Sequence, residues 1–331
     1  MIISSAPLRI SYLGGGTDYH SYYMEFGSVI IGSAINKRVY IFLNELSKIA
    51  DENIRFTYRK IESVASPSDL SHPVVREALK LYAPNERLNI ATFADLPGKS
   101  GLGSSSAFTV ALLSGIQKYL GNENISKYYL AEDAINLERK ILNEIGGIQD
   151  QYHATFGNLR TYHFSKLENL ISQPFYSDTL LDELSAYHYL VYVGSDRDSN
   201  TFASQTTHSI MEKKTVKYFH EMKKLAEEGS VELPKMDSAP KIIEKLSDLM
   251  NESWNLKKHF GKDVSNSRVD NIIKEGLTNG ASAGKLCGAG SSGYVLFLVP
   301  ESNREKFELR FQNELTLKIS LNPQGISTKI H

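Results

Sequence analysis

Residues 97–108 read PGKSGLGSSSAF, with three glycines and four serines directly ahead of an apolar run. The stretch before it, LNIATFADL (88–96), has the β-branched and aromatic content and partial alternation of a strand. After it, Phe108, Ala111, Leu112, Gly115, Ile116 and Tyr119 recur at helical spacing, and Gly121 marks a stop. Bare backbone between strand and helix leaves first-turn amides unpaired at the positive end of the helix dipole. Glycines remove Cβ atoms there, and serine hydroxyls can donate to phosphate or ligate Mg²⁺. The stretch predicts an anion site, phosphate above all. The plain alternative is a Gly/Ser connection that only joins strand to helix.

The familiar phosphate loop needs G-x-x-x-x-G-K-[ST]. Gly98-Lys99-Ser100 supplies the end of that pattern, but Phe93 stands where its first glycine belongs, so it fails. A second loop, CGAGSSGYVLF, satisfies G-x-G-x-x-G through Gly288, Gly290 and Gly293. A dinucleotide fingerprint runs strand, loop, helix. Here a helix-like stretch precedes and the strand GYVLFLVP (293–300) follows, which argues against an NAD-dependent oxidoreductase.

The chain has 331 residues, 41% hydrophobic and 23% charged, enough for one large domain or two of ordinary size. A formal charge of -1 argues against nucleic-acid binding by bulk electrostatics. One cysteine, Cys287, excludes an intramolecular disulfide and a Cys metal cluster, and suits a reducing cytoplasm. The N-terminus lacks signal-peptide character, and no apolar run reaches the ~20 residues of a membrane span.

Further strands are expected at 38–43, 53–58, 158–164 and 187–194. A second helix is expected from Ser126, with a stripe through Leu130, Ala134, Leu137 and Ile141. Helical tracts follow near 203–228 and 240–260. The polar, irregular segment after 164 places a domain boundary near 168, dividing the chain into 1–168 and 169–331.

Arg9 in APLRISYLGGGTDY is a forked donor suited to phosphate oxygens, and Asp18 after three glycines can accept hydroxyl hydrogen bonds. Glu138 lies on the second helix and Asp150 just beyond Gly146-Gly147. Taken singly, such residues are usually solvated faces or turn residues. The nine histidines show no zinc spacing, and no G-x-S-x-G elbow is present.

Four stretches in fixed order, PLRISYLGGGTDY, PGKSGLGSSSA, LERKILNEIGGIQDQ and CGAGSSGYVLF, resemble the motifs of the GHMP kinases. The resemblance spans residues 7 to about 300. It implies an α+β fold of two parts, the first like ribosomal protein S5 domain 2 and the second ferredoxin-like. The N-terminal motif, with HPVVREAL and AGKLCGAGSSG, is most similar to the sugar 1-kinase branch acting on D-glycero-D-manno-heptose 7-phosphate, close to the fucokinase domain. Galactokinases carry Glu-His where this chain has Gly15 and Gly16.

The resemblance implies ATP and Mg²⁺ as cofactors. Gly98, Lys99, Ser100, Gly101, Leu102, Gly103, Ser104, Ser105 and Ser106 would form the nucleotide loop, and Ser105 with Glu138 would hold Mg²⁺. Asp150 would be the general base and Arg9 its catalytic partner. Gly16, Thr17, Asp18, Tyr19 and Asp150 would meet the sugar, with Gly288, Ala289, Gly290 and Ser291 approaching from the other part. Arg197, Lys99 and Lys37 are candidates for a phosphate already on the substrate. The implied partners are small molecules, a sugar phosphate and ATP, with neither nucleic acid nor membrane. A non-catalytic sugar and nucleotide sensor is the competing reading; intact Arg9, Glu138 and Asp150 argue against it.

Overall fold

The computed structural model describes the chain apart from residues 99, 123, 195–209, 211–214, 262–263, 291 and 322–323. Two long strands organise it, β1 (Ile2–Leu13) and β2 (Ser28–Glu45). β1 alternates between buried and half-buried over its first four residues, then stays buried from Ala6 to Arg9 and beyond. β2 does the reverse, buried throughout its first eight residues and alternating after Val39. Alternation marks one covered face and continuous burial marks two. The strands pair antiparallel, Arg9 opposite Ala34, so the stretch around Arg9 lies in the doubly covered part of the sheet.

The first sheet has the order β12-β1-β2-β5-β3-β4, with β3 (Ile54–Thr57), β4 (Ile61–Val64), β5 (Leu88–Ala94) and β12 (Ser327–Ile330). β6 (Leu159–Phe164) pairs with the first half of β2, β5 with its second half, and β7 (Asn169–Ile171) with β6. The second sheet is antiparallel, ordered β11-β8-β10-β9, from β8 (His188–Gly194), β9 (Ala283–Leu286), β10 (Gly293–Leu298) and β11 (Thr316–Lys318).

Ten helices are described: α1 (His20–Phe26), α2 (Pro73–Tyr82), α3 (Ser104–Tyr119), α4 (Lys127–Ile135), α5 (Gln149–Phe156), α6 (Asp178–Ser185), α7 (Val216–Glu232), α8 (Ala239–Lys257), α9 (Ser267–Thr278) and α10 (Arg304–Arg310). α3 packs on β1 and β2, with α2, α4 and α5 around it. It is buried nearly all round, through Ala107, Val110, Leu113 and Ile116, as a central helix must be. Each large apolar side chain so buried contributes about 1.5–3 kcal/mol. α8 packs on both β9 of the second sheet and β1 of the first, α7 packs on α8, β1 and β2, and one apolar core runs continuously through both sheets.

The expected second helix is not regular to its end. α4 stops at Ile135 and passes directly into a π-helical turn, Asn136–Ile141. Glu138 lies within this turn and is buried, as is Leu137.

A buried polar link joins the sheets. The Tyr12 hydroxyl donates to His188 Nε2 at 2.7 Å, while Nδ1 faces the Leu184 carbonyl at 2.8 Å and must donate to it. Burial holds the imidazole neutral, lowering its pKa to about 4, and drives that of buried His153 well below its ordinary value. The unfolded chain takes up these protons below about pH 6.5, whereas the folded chain resists until nearer pH 4 at His188. Stability is therefore full above the unfolded pKa and is lost as pH falls through this window. Buried Asp18, whose pKa burial raises, acts in the opposite sense. Denaturant titrations between pH 7 and 4 should show the wild type losing about 3 kcal/mol more than His188→Gln. Parallel pH curves for the two would remove His188 from the effect.

Candidate active site

A cleft of about 430 Å³ opens where the glycine loops of the two halves meet, a size typical of small-molecule sites. Its walls include Arg9, Asp18, Ser105, Glu138, Asp150 and Gly288.

Arg9 reaches it from β1. Its Nε donates to Asp150 Oδ1 and its Nη2 to Asp150 Oδ2, both at 2.8 Å, a bidentate pair. Nη1 donates to the Gly101 carbonyl at 2.6 Å, and the Arg9 backbone N–H donates to the Leu102 carbonyl at 2.9 Å. One residue thus fixes both the carboxylate and the glycine loop. Burial works against the guanidinium charge, but Asp150 outweighs it and the pKa lies above the ordinary value. Asp150 sits in the first turn of α5, its side chain 23% exposed and open to the cleft.

The loop itself is shaped by close backbone approach. Gly101 has φ 75°, and a Cβ there would lie 2.7 Å from the Cys287 carbonyl oxygen. A Cβ on Gly288 would lie 2.6 Å from Gly101 Cα. The bare backbone of each loop therefore packs on the other, in addition to facing the cleft. Leu102 points away and is fully buried in the core. α3 then starts without a side-chain cap on its first-turn amides, and Ser104, Ser105 and Ser106 line the cleft there.

Glu138 is 1% exposed. Its Oε2 accepts from Ser106 Oγ at 2.9 Å and Gln151 Nε2 at 2.5 Å, and lies 3.4 Å from Arg139 Nη2. Its Oε1 is buried with no partner. A buried carboxylate oxygen so placed, beside serine hydroxyls and bare helix amides, fits a divalent cation shared with phosphate oxygens. Among the described residues no cluster of three or more His, Cys, Asp or Glu forms a protein-only cage.

On the facing wall Asp18 is buried. It accepts from the Gly16 and Gln149 backbone N–H groups, both at 3.1 Å, and burial raises its pKa. A Cβ on Gly147 would fall 1.9 Å from Asp18 Oδ2, so the Gly-Gly pair admits this carboxylate. Gly16, Tyr19 and Phe260 line the same wall, Phe260 stacked on Phe219 with ring centroids 3.8 Å apart.

Of the residues singled out from sequence, the cleft brings together Arg9, Gly16, Asp18, Tyr19, Gly101, Gly103, Ser104, Ser105, Ser106, Glu138, Asp150, Gly288 and Ala289. Gly98, Ser100, Leu102, Gly290 and Lys37 do not line it. Nor does Thr17, whose hydroxyl donates to the Gly14 carbonyl at 2.8 Å and meets Ser28 Oγ at 2.6 Å. Lys99, Arg197 and Ser291 lie outside the described residues. The sequence reading passed over Lys257, Lys285, Arg139 and Gln151. Lys257 left a trace: it continues the buried stripe of Ile243, Leu246, Met250 and Trp254 on α8.

No helix among the described residues is long and apolar enough to cross a membrane. Residues 72–158 match the GHMP kinases N terminal domain, and residues 238–315 match the GHMP kinases C terminal. D-glycero-alpha-D-manno-heptose 7-phosphate kinase of Campylobacter jejuni is 26% identical, over 99% of this chain and 98% of the relative. Mevalonate kinase of Pyrococcus furiosus is 25% identical, over 92% of this chain and 91% of the relative. The solved structure of a D-glycero-D-manno-heptose 1-phosphate kinase from Bacteroides thetaiotaomicron superposes with a TM-score of 0.79 at 22% identity, covering both chains fully. Lactococcus lactis galactokinase superposes with a TM-score of 0.71 at 14% identity, covering 98% of this chain and 95% of that one. With both domain matches flanking a cleft built from four ordered motifs, the chain belongs to the GHMP kinases, ATP-dependent phosphotransferases.

Proposed function

We propose that this enzyme transfers the terminal phosphoryl group of ATP to the anomeric hydroxyl of D-glycero-D-manno-heptose 7-phosphate, giving the 1,7-bisphosphate. The observation carrying the chemistry is the bidentate Arg9–Asp150 pair, set in the cleft between the glycine loops. The full-length likeness to the Campylobacter jejuni heptose kinase supports the substrate class.

Asp150 accepts the proton of the attacking hydroxyl as the oxygen–phosphorus bond forms and the bond to the ADP oxygen breaks. An anomeric hydroxyl is more acidic than an ordinary alcohol, so a carboxylate suffices as base. Arg9 holds Asp150 in line and places positive charge beside the transferring group. The first-turn amides of α3 bind phosphate oxygens. Glu138 and the Ser105 hydroxyl would hold Mg²⁺, which neutralises phosphate charge when bound, and Ser106 orients Glu138. Gly16, Asp18 and Tyr19 meet the sugar, with Gly288 and Ala289 closing from the second half.

The test is an ATP and Mg²⁺ incubation with heptose 7-phosphate, fucose, galactose and mevalonate, read by product mass. Heptose 7-phosphate should be consumed at least tenfold faster than the others. Turnover of fucose or galactose with heptose 7-phosphate inert would overturn the substrate and leave the kinase chemistry standing.

A further inference from the structure

Two cleft-lining lysines have no part in the mechanism above. Lys257 ends α8 and Lys285 lies in β9, and they are only 8% and 3% exposed. A buried ammonium normally sits against a carboxylate. Among the described residues neither has one. Lys257 Nζ donates to the carbonyls of Leu286, at 3.2 Å, and Gly288. Lys285 Nζ donates to the Tyr12 carbonyl at 2.6 Å and to Ser253 Oγ at 2.9 Å. An ammonium carries three N–H donors, so each lysine has one in reserve. The carboxylates lining the cleft, Asp18, Glu138, Glu144 and Asp150, form no ion pair with either lysine and are held elsewhere in the cleft, although Asp18 comes within electrostatic reach of Lys257. They are engaged there: Asp150 by Arg9, the two glutamates by Arg139, and Asp18 by backbone amides.

We propose that Lys257 and Lys285 form a seat for a phosphate group at the meeting point of Gly101 and Gly288. Charging two lysines in one buried wall is unfavourable, and an anionic ligand offsets that cost by favouring their protonated forms. Burial lowers the Lys257 pKa to about 8, against a smaller upward pull from Asp18, and burial together with the neighbouring Lys257 takes that of Lys285 well below its ordinary value. Two sources can supply the anion: the terminal phosphate of the nucleotide, or a phosphate carried by the acceptor. The assignment rests on the kinase reading of the cleft.

Lys257→Met and Lys285→Met keep the apolar stem and remove the charge. Each is titrated calorimetrically with Mg²⁺ and either ADP or a non-hydrolysable ATP analogue, and assayed with heptose 7-phosphate and the unphosphorylated heptose. If the seat takes the terminal phosphate, analogue affinity falls at least tenfold while ADP affinity stays within twofold. If it takes the acceptor's phosphate, nucleotide affinities hold and KM for the sugar phosphate rises at least tenfold, with the unphosphorylated sugar unchanged. Changes under twofold for every probe, or equal losses for all four, would overturn the proposal. ADP binding by the wild type tests the kinase reading separately, since a chain that binds no adenine nucleotide fails before the lysines are at issue. Should a variant not fold, lysine acetylation of the wild type, read by mass spectrometry, replaces it. Lys257 should be protected at least fivefold by the ATP analogue over ADP, or by heptose 7-phosphate over the free heptose. Protection by neither sinks the seat.

Discussion

Asp150→Asn is expected to lower kcat by about 10²–10⁴-fold, the range lost with a general base, while ADP affinity stays within a factor of about three. An amide keeps the shape of the carboxylate but takes no proton. It also turns an N–H₂ toward the guanidinium that Asp150 now accepts from through two bonds of 2.8 Å. Arg9 retains its bond to the Gly101 carbonyl and its backbone bond to Leu102, so the nucleotide loop keeps its anchor. Chemistry and nucleotide binding should therefore separate. Rapid-quench turnover beside calorimetric ADP binding measures both. A kcat within tenfold of wild type would remove Asp150 as the base. A parallel collapse of ADP affinity would mean that the pair serves loop architecture instead.

The local parts of this site were legible because their signals are local. A strand, a glycine run and a capless helix start stand next to each other in the chain, and the structure keeps that order from β5 through Gly101 to α3. Phe93 excluded the Walker loop without any coordinates. Pairings across long separations were not legible from spacing. Arg9 and Asp150 are 141 residues apart, and no periodicity joins them. The family resemblance alone put them together. Glu138 was likewise left open by the residue-level argument, because a lone glutamate on a helix is usually solvated, and only the resemblance put it at the metal. Thr17 shows the converse. Its place between Gly16 and Asp18 suggested sugar contact, yet its hydroxyl is turned inward to Gly14 and Ser28. The lysines were passed over because charged residues default to the surface. The period of α8 placed Lys257 among apolar neighbours, and that conflict was the signal to read.

The second large effect is expected at the metal. Glu138→Gln should raise the Mg²⁺ concentration for half-maximal rate by at least ~10-fold, in the range that loss of a supporting metal contact produces. The substitution is nearly isosteric, so the Ser106 and Gln151 contacts to Oε2 can persist in part. What is lost is charge, at the oxygen that has no protein partner. Ser105 and Ser106 then divide by role. Ser105 is exposed to the cleft and free to meet a cation, whereas Ser106 is buried and its hydroxyl is donated to Glu138. Ser105→Ala should shift the Mg²⁺ titration directly. Ser106→Ala should shift it less and also lower the melting temperature, since a buried acceptor loses a donor. Titrations at saturating ATP, with thermal melts alongside, separate the three variants. An unchanged Mg²⁺ midpoint in Glu138→Gln would take that carboxylate out of the metal site. A larger shift in Ser106→Ala than in Ser105→Ala would transfer the serine's role from one residue to its neighbour. In that case the hydroxyl now spent on Glu138 would have to turn toward the metal when nucleotide binds.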